Sequence, residues 1–205
     1  MDLDHLVLAT PELESTVDWV TRSLGVRPDP GGQHLGVRTR NYLLGLGPGR
    51  YLEIMGPDPA QAEPNVPRPF GIDRLDRPKL AAWLARSAHL EEAVATAAEH
   101  HYDLGPIQEL SRTTPGGQVL RWRLTRRRPD DIVIVPMLID WGDTQHPSVT
   151  VPAGATLVSF KAQHPEPDEV RDVQLALGLD LEVTTGPEPS LLAEISGPSG
   201  SLELS

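Results

Sequence analysis

The chain has 205 residues, enough for one large domain or two small ones around a sizeable core. Its formal net charge of −11 argues against a nucleic-acid partner, and the absence of cysteine excludes disulfides, a thiolate nucleophile and a Cys-ligated zinc site. The first residues lack the basic region and apolar core of a signal peptide, and no apolar run approaches the roughly 20 residues of a membrane span, so a soluble cytoplasmic protein without membrane contact is expected.

The chain opens on an apolar run, Leu3-Asp4-His5-Leu6-Val7-Leu8-Ala9, which reads as a strand. Thr10 is placed to cap the next helix, with Pro11 at its first position. Leu13, Val17, Val20 and Leu24 form one amphipathic stripe, and Gly25 stops it. Three strands are expected near Gly36–Arg38, Asn41–Leu46 and Arg50–Met55. Residues 57–78, rich in proline and glycine, read as a connection.

The order then restarts. Leu80–Ala85 reads as a strand, Leu90, Val94, Ala97 and His101 mark a helix, and Ile107–Leu110, Gln118–Thr125 and Ile132–Asp140 are strand candidates. The basic run Arg126-Arg127-Arg128 stands beside Pro129-Asp130-Asp131 and reads as a solvated loop. A third copy follows: strand Thr156–Ala162, a helix carrying Val170, Val173 and Leu177 that Gly178 stops, and strands Leu181–Thr184, Leu191–Ile195 and Ser201–Leu204. The expected fold class is α+β, built of repeated βαβββ modules.

Two isolated polar residues stand out in apolar strands. Alternation puts His5 on one face with Leu3 and Val7, and Glu53 on one face with Tyr51 and Met55. An inward imidazole and carboxylate suit a divalent metal site or an acid/base pair; they equally suit an inert hydrogen-bonded pair in the wall of a cup. No serine elbow, phosphate-cradling loop or HExxH helix occurs.

The segments Asp4–Ala9, Leu24-Gly25-Val26, Gly31-Gly32-Gln33-His34, Thr39-Arg40-Asn41 and Tyr51-Leu52-Glu53-Ile54 resemble the glyoxalase-like domain proteins of the vicinal oxygen chelate superfamily. Leu120–Leu124, Leu138–Trp141 and His146-Pro147 resemble the second half of that domain. The resemblance implies a domain over residues 1–148, with modules 1–56 and 79–141 forming a cup-shaped mixed sheet, and a third module over 155–205. It implies a small-molecule enzyme acting on an α-oxo or vicinal-dioxygen substrate as a lyase, isomerase or dioxygenase. His5 and Glu53 match the two metal-ligand positions of the first module, for Zn²⁺, Mn²⁺, Fe²⁺ or Ni²⁺. The corresponding first-strand position of the second module falls at Ala81 or Ala82, which cannot bind a metal; this favours the rival expectation, a binding or resistance protein without turnover. In the third copy Glu203 takes the place of Glu53.

Asp140 is expected either as a third ligand or general base, or as the cap of the loop Gly142-Asp143-Thr144. His34 and Asn41, beside a glycine-rich turn, are candidates for substrate contact at the cup mouth, as is His146. Arg121 and Arg123 share a strand face and could hold a carboxylate or phosphate, or lie exposed opposite acidic neighbours. The third module, lacking an internal twin, is expected to pair in a homodimer.

Overall fold

The computed structural model describes residues 1–61, 66–114, 116–126 and 134–205. The first module comprises β1 (Asp2–Ala9), α1 (Leu13–Leu24), β2 (Asp29–His34), β3 (Thr39–Gly45) and β4 (Tyr51–Pro57). The second comprises β5 (Lys79–Arg86), α2 (Leu90–Glu99), β6 (Ile107–Thr113), β7 (Val119–Thr125) and β8 (Met137–Asp140). The third comprises β9 (Thr156–His164), α3 (Asp168–Ala176), β10 (Val183–Thr185), β11 (Ser190–Gly197) and β12 (Gly200–Leu204).

Eight strands form one curved sheet in the order β2-β3-β4-β1-β5-β8-β7-β6. Within each half the first and last strands run parallel, β1 with β4 and β5 with β8, and β1 meets β5 antiparallel at the seam. The outermost strands nearly close the sheet, because Arg112 of β6 donates to the carbonyl of Gly31 on β2. Its concave wall carries Val7, Leu43, Tyr51, Met55, Leu84, Ile139 and Trp141. Its convex face packs Leu6, Leu8, Leu52, Ile54 and Leu138 against the helices.

Burial of Leu13, Val17, Val20 and Leu24 holds α1 on that face, each side chain contributing about 1.5–3 kcal/mol. Gly25 ends α1 in the left-handed region at φ 75°, as expected. Thr10 is not the cap. It lies before the helix, where its hydroxyl accepts from the Glu12 N–H at 3.1 Å and meets Thr16 Oγ1 at 2.7 Å. The expected strand at Gly36–Arg38 is a turn: β2 starts earlier, at Asp29, and Arg38 takes φ 57°. Of the expected strand Ile132–Asp140, residues 132 and 133 lie outside the described residues, as do residues 127–131 of the basic loop.

The third module keeps the element order of the others but not their lateral order. Its sheet runs β10-β9-β11-β12, with the first strand inside it. It packs on the same convex core: Ala162, Leu191, Ile195, Leu202 and Leu204 join the α1 stripe, and Phe160 meets Trp83 of β5 edge-on at 5.4 Å. Its apolar face is therefore covered within the chain. Glu203 is exposed and brings no carboxylate to the cup. No helix among the described residues is long and apolar enough to cross a membrane.

Candidate functional site

A bulge in β1 builds the site. The pairing of β1 with β5 slips between Leu3 and His5, so Leu3 packs against the convex core whereas Val7 faces the cup. His5 therefore does not share a face with Leu3. The inserted residue, Asp4, is fully buried. One carboxylate oxygen accepts from His5 Nδ1 at 2.7 Å. The other accepts from Arg86 Nε at 3.0 Å, His146 Nε2 at 3.0 Å and Trp141 Nε1 at 3.1 Å. Burial alone would raise the pKa of Asp4, but the hydrogen bonds from His146 and His5, with their charges, hold it well below the carboxylate range. The Ser148 N–H donates to His146 Nδ1 at 3.2 Å, which leaves the Nε2 proton for Asp4.

The second carboxylate comes from β4. In the parallel pairing with β1, Tyr51 lies opposite His5 and Glu53 opposite Val7. The rings of His5 and Tyr51 stack at 4.4 Å and 16°. His5 Nε2 lies 3.5 Å from one Glu53 oxygen. The other oxygen accepts from Asn41 Nδ2 at 2.5 Å and lies 3.6 Å from His34 Nε2. Asn41 Nδ2 is also 3.3 Å from that His34 nitrogen, while His34 Nδ1 meets Thr39 Oγ1 at 3.0 Å. The two imidazoles thus flank one carboxylate, each turning Nε2 toward a different oxygen.

Their environments push them apart. Burial opposes a charge on His5, but the hydrogen bonds to Asp4 and Glu53, and the charges of both, outweigh it and raise the pKa to about 9. For His34 burial wins; Glu53 and Asp58 oppose it, Arg112 assists it, and the pKa falls below the ordinary value. Burial likewise acts to raise Glu53, yet the His5 hydrogen bond, the neighbouring imidazoles and Asn41 bring it down to about 2. Near neutral pH the site holds an imidazolium, an ionised carboxylate and a neutral imidazole.

Four expected site residues, His5, Glu53, His34 and Asn41, meet here, and His146 joins them through Asp4. Asp140, Arg121 and Arg123 do not. Along β8, Met137 and Ile139 face the cup, so Asp140 projects to the opposite side. There it accepts from the Gly142 N–H at 2.9 Å, the loop-capping alternative, and lies 3.9 Å from Arg123. Arg123 in turn pairs with Glu91 of α2, and Arg121, two residues away, is exposed on the same face. The arginine pair is therefore the exposed face opposite acidic neighbours. Asp4, Tyr51 and Arg86 are site residues that sequence reasoning missed.

A divalent metal of the kind the resemblance implies would need ligands from both halves of the cup. The second half of the cup presents Ala81, Ala82, Leu84, Met137, Ile139 and Trp141, none of them a ligand for Zn²⁺, Mn²⁺, Fe²⁺ or Ni²⁺. Asn41 Nδ2 already lies against both Glu53 and His34, leaving its own Oδ1 buried without a partner. His5, His34 and Glu53 meet, but their facing atoms are turned on one another and on Asn41, and among the described residues no three His, Asp or Glu side chains are placed to hold an ion. The residues as arranged do not fit a metal centre with His5, Glu53 and Asp140 as its ligands.

Comparison with known proteins agrees with the cup. Residues 3–177 match the glyoxalase-like domain family. A hypothetical protein from Staphylococcus aureus has a similar structure at TM-score 0.63 and 11% identity, over 99% of this chain and 85% of that one. 4-Hydroxymandelate synthase from Streptomyces coelicolor (a triple mutant) follows at TM-score 0.49 and 12% identity, over 99% and 62%. Methylmalonyl-CoA epimerase from Mycobacterium tuberculosis follows at 0.45 and 16%, over 68% and 87%. No curated protein matches the sequence. The chain belongs to the glyoxalase-like domain family.

Proposed function

We propose that this chain is a small-molecule enzyme that moves a proton on a carbon next to a carbonyl, as an isomerase or lyase of the glyoxalase type acting on an α-oxo substrate. The observation that carries this reading is the placement of Glu53 between His5 Nε2 and His34 Nε2 at the wall of the hollow. His34 is the base: its Nδ1–H is directed to Thr39, and its bare Nε2, held at 3.3 Å by the Asn41 amide, takes the proton once substrate displaces that amide. His5 is the acid, its Nδ1–H fixed by Asp4 and its Nε2–H, turned toward Glu53 at 3.5 Å, passing to the carbonyl oxygen on which charge develops when substrate is bound. Glu53 stays ionised and faces the His5 Nε2–H, while the Asn41 amide donates to Glu53 and separates it from the bare His34 Nε2. Such a split between two neighbouring titratable groups is how one site supplies acid and base at one pH. A cytoplasmic location fits a cysteine-free protein of this kind.

The test is solvent exchange. Incubation of the protein in heavy water with a panel of small α-oxo and α-hydroxy carbonyl compounds, followed by NMR, should show deuterium entering one compound at the carbon beside the carbonyl. His34→Gln and Glu53→Gln should each slow this about 10²–10⁴-fold. The rate should survive treatment with a chelator; a collapse restored by added Zn²⁺ or Mn²⁺ would overturn the metal-free reading.

A second reading, a binding or resistance protein without turnover, is favoured by the other half of the cup, where Ala81 and Ala82 stand in an apolar wall. Saturable binding of a compound that undergoes no Glu53-dependent exchange would select it.

A further inference from the structure

Arg112 lies outside this chemistry, yet it is only 7% exposed. One of its nitrogens, Nη1, donates to the Gly31 carbonyl, and no other acceptor among the described residues bonds the guanidinium. Among the described residues no carboxylate lies within ion-pair distance of it. A buried cation without a counter-charge carries an uncompensated desolvation cost. Arg112 lines a cavity of about 130 Å³ with Leu43, Gln118, Leu120, Gln145 and Thr150, and among the described residues it is the one cation on that lining.

The cavity adjoins the acid–base site. Leu43 pairs directly with Glu53 across β3 and β4. A Cβ on Gly31 would lie 2.3 Å from Asn41 Oδ1 and 3.0 Å from Arg112 Nη1, so a bare glycine is what lets the guanidinium and the Glu53-holding amide sit side by side. Gly32, at φ 143°, continues the close approach, its Cβ position being 2.8 Å from the Thr113 carbonyl.

We infer that Arg112 is the anchor for a carboxylate carried by the ligand, which makes the substrate class a small α-oxo carboxylic acid. With Nη1 committed to Gly31, one edge of the guanidinium, Nε and Nη2, remains for the two oxygens of a planar carboxylate. A phosphate dianion calls for more positive charge than one arginine in a lining that also includes Asp29. The inference rests on the hollow being the substrate site, and it holds for catalysis and for simple binding alike.

Calorimetric titration of the full chain with pyruvate and with diacetyl, its neutral isostere, tests the assignment. The wild type should bind pyruvate at least tenfold more tightly than diacetyl, and more tightly than inorganic phosphate. Arg112→Met should abolish that preference. Arg112→Lys, which keeps the charge and loses the two-pronged edge, should fall between them and decides the matter if the methionine variant does not fold. Glu53→Gln should keep the preference while losing exchange, so failure of the anchor and failure of the proton-transfer reading are told apart. Equal binding of diacetyl, tighter binding of phosphate, no binding of pyruvate, or a preference that survives Arg112→Met would each overturn the inference.

Discussion

Asp4 and His5 are adjacent in β1, yet the Asp4 carboxylate hydrogen-bonds His5 Nδ1 at 2.7 Å, because the bulge between Leu3 and His5 turns both side chains inward. The same carboxylate gathers Arg86, His146 and Trp141, joining the seam strand β5 and the segment after β8 to the first strand. Asp4→Asn keeps the shape and removes the charge. Breaking a buried pair in this way costs about 3 kcal/mol, readable in a urea titration, and the His5 titration seen by NMR should move to lower pH.

Stability should depend on pH on both sides. The His5 pKa rises from 6.5 in the unfolded chain to about 9 when folded, so its contribution is complete below 6.5 and lost as pH climbs through 9. Glu53 falls from 4.5 to about 2, so its contribution is complete above 4.5 and lost as pH drops through 2. Asp4 shifts in the same direction as Glu53. Urea midpoints should therefore be highest between about pH 4.5 and 6.5, and His5→Gln should flatten the alkaline limb. An alkaline limb unchanged in that variant would be evidence against the charged His5.

Gly31→Ala tests the contact between β2 and the site. The new methyl meets the end of the Asn41 side chain, which can swing away, so folding should survive. Asn41 would then release Glu53, and exchange should slow tenfold or more while the folded state loses about 1–3 kcal/mol for the buried groups left unpaired. An unaltered exchange rate would argue that Asn41 has no part in the site.

Asp140→Ala should leave exchange within twofold of wild type, because that side chain faces away from the cup and caps a turn. The stability cost should stay near 1 kcal/mol, as for a lost local hydrogen bond. A hundredfold loss of exchange would restore Asp140 as a site residue.

The pair at the heart of the site was legible because His5 and Glu53 are single polar residues in apolar strands, and parity in each strand has only two outcomes. Asp4 was not, because strict alternation turns it away from His5 and nothing in the run signals a bulge. Asp140 was misplaced for a related reason: Leu138 and Ile139 are buried on opposite faces, so composition could not say which face its side chain takes. Arg112 went unremarked because its partner, a backbone carbonyl 81 residues away, leaves no sequence pattern. In the third module, element order could be read from periodicity. That β9 sits inside its sheet could not, since lateral order depends on packing against α1 and β5.

Imidazole nitrogen NMR shifts of isotopically labelled protein near neutral pH would show the division of roles between the two histidines most directly. His5 should carry protons on both ring nitrogens while His34 carries one, with its Nε2 bare. Two rings that titrate together near the ordinary histidine value of about 6.5 would contradict that division, and with it the proton transfer assigned to this site.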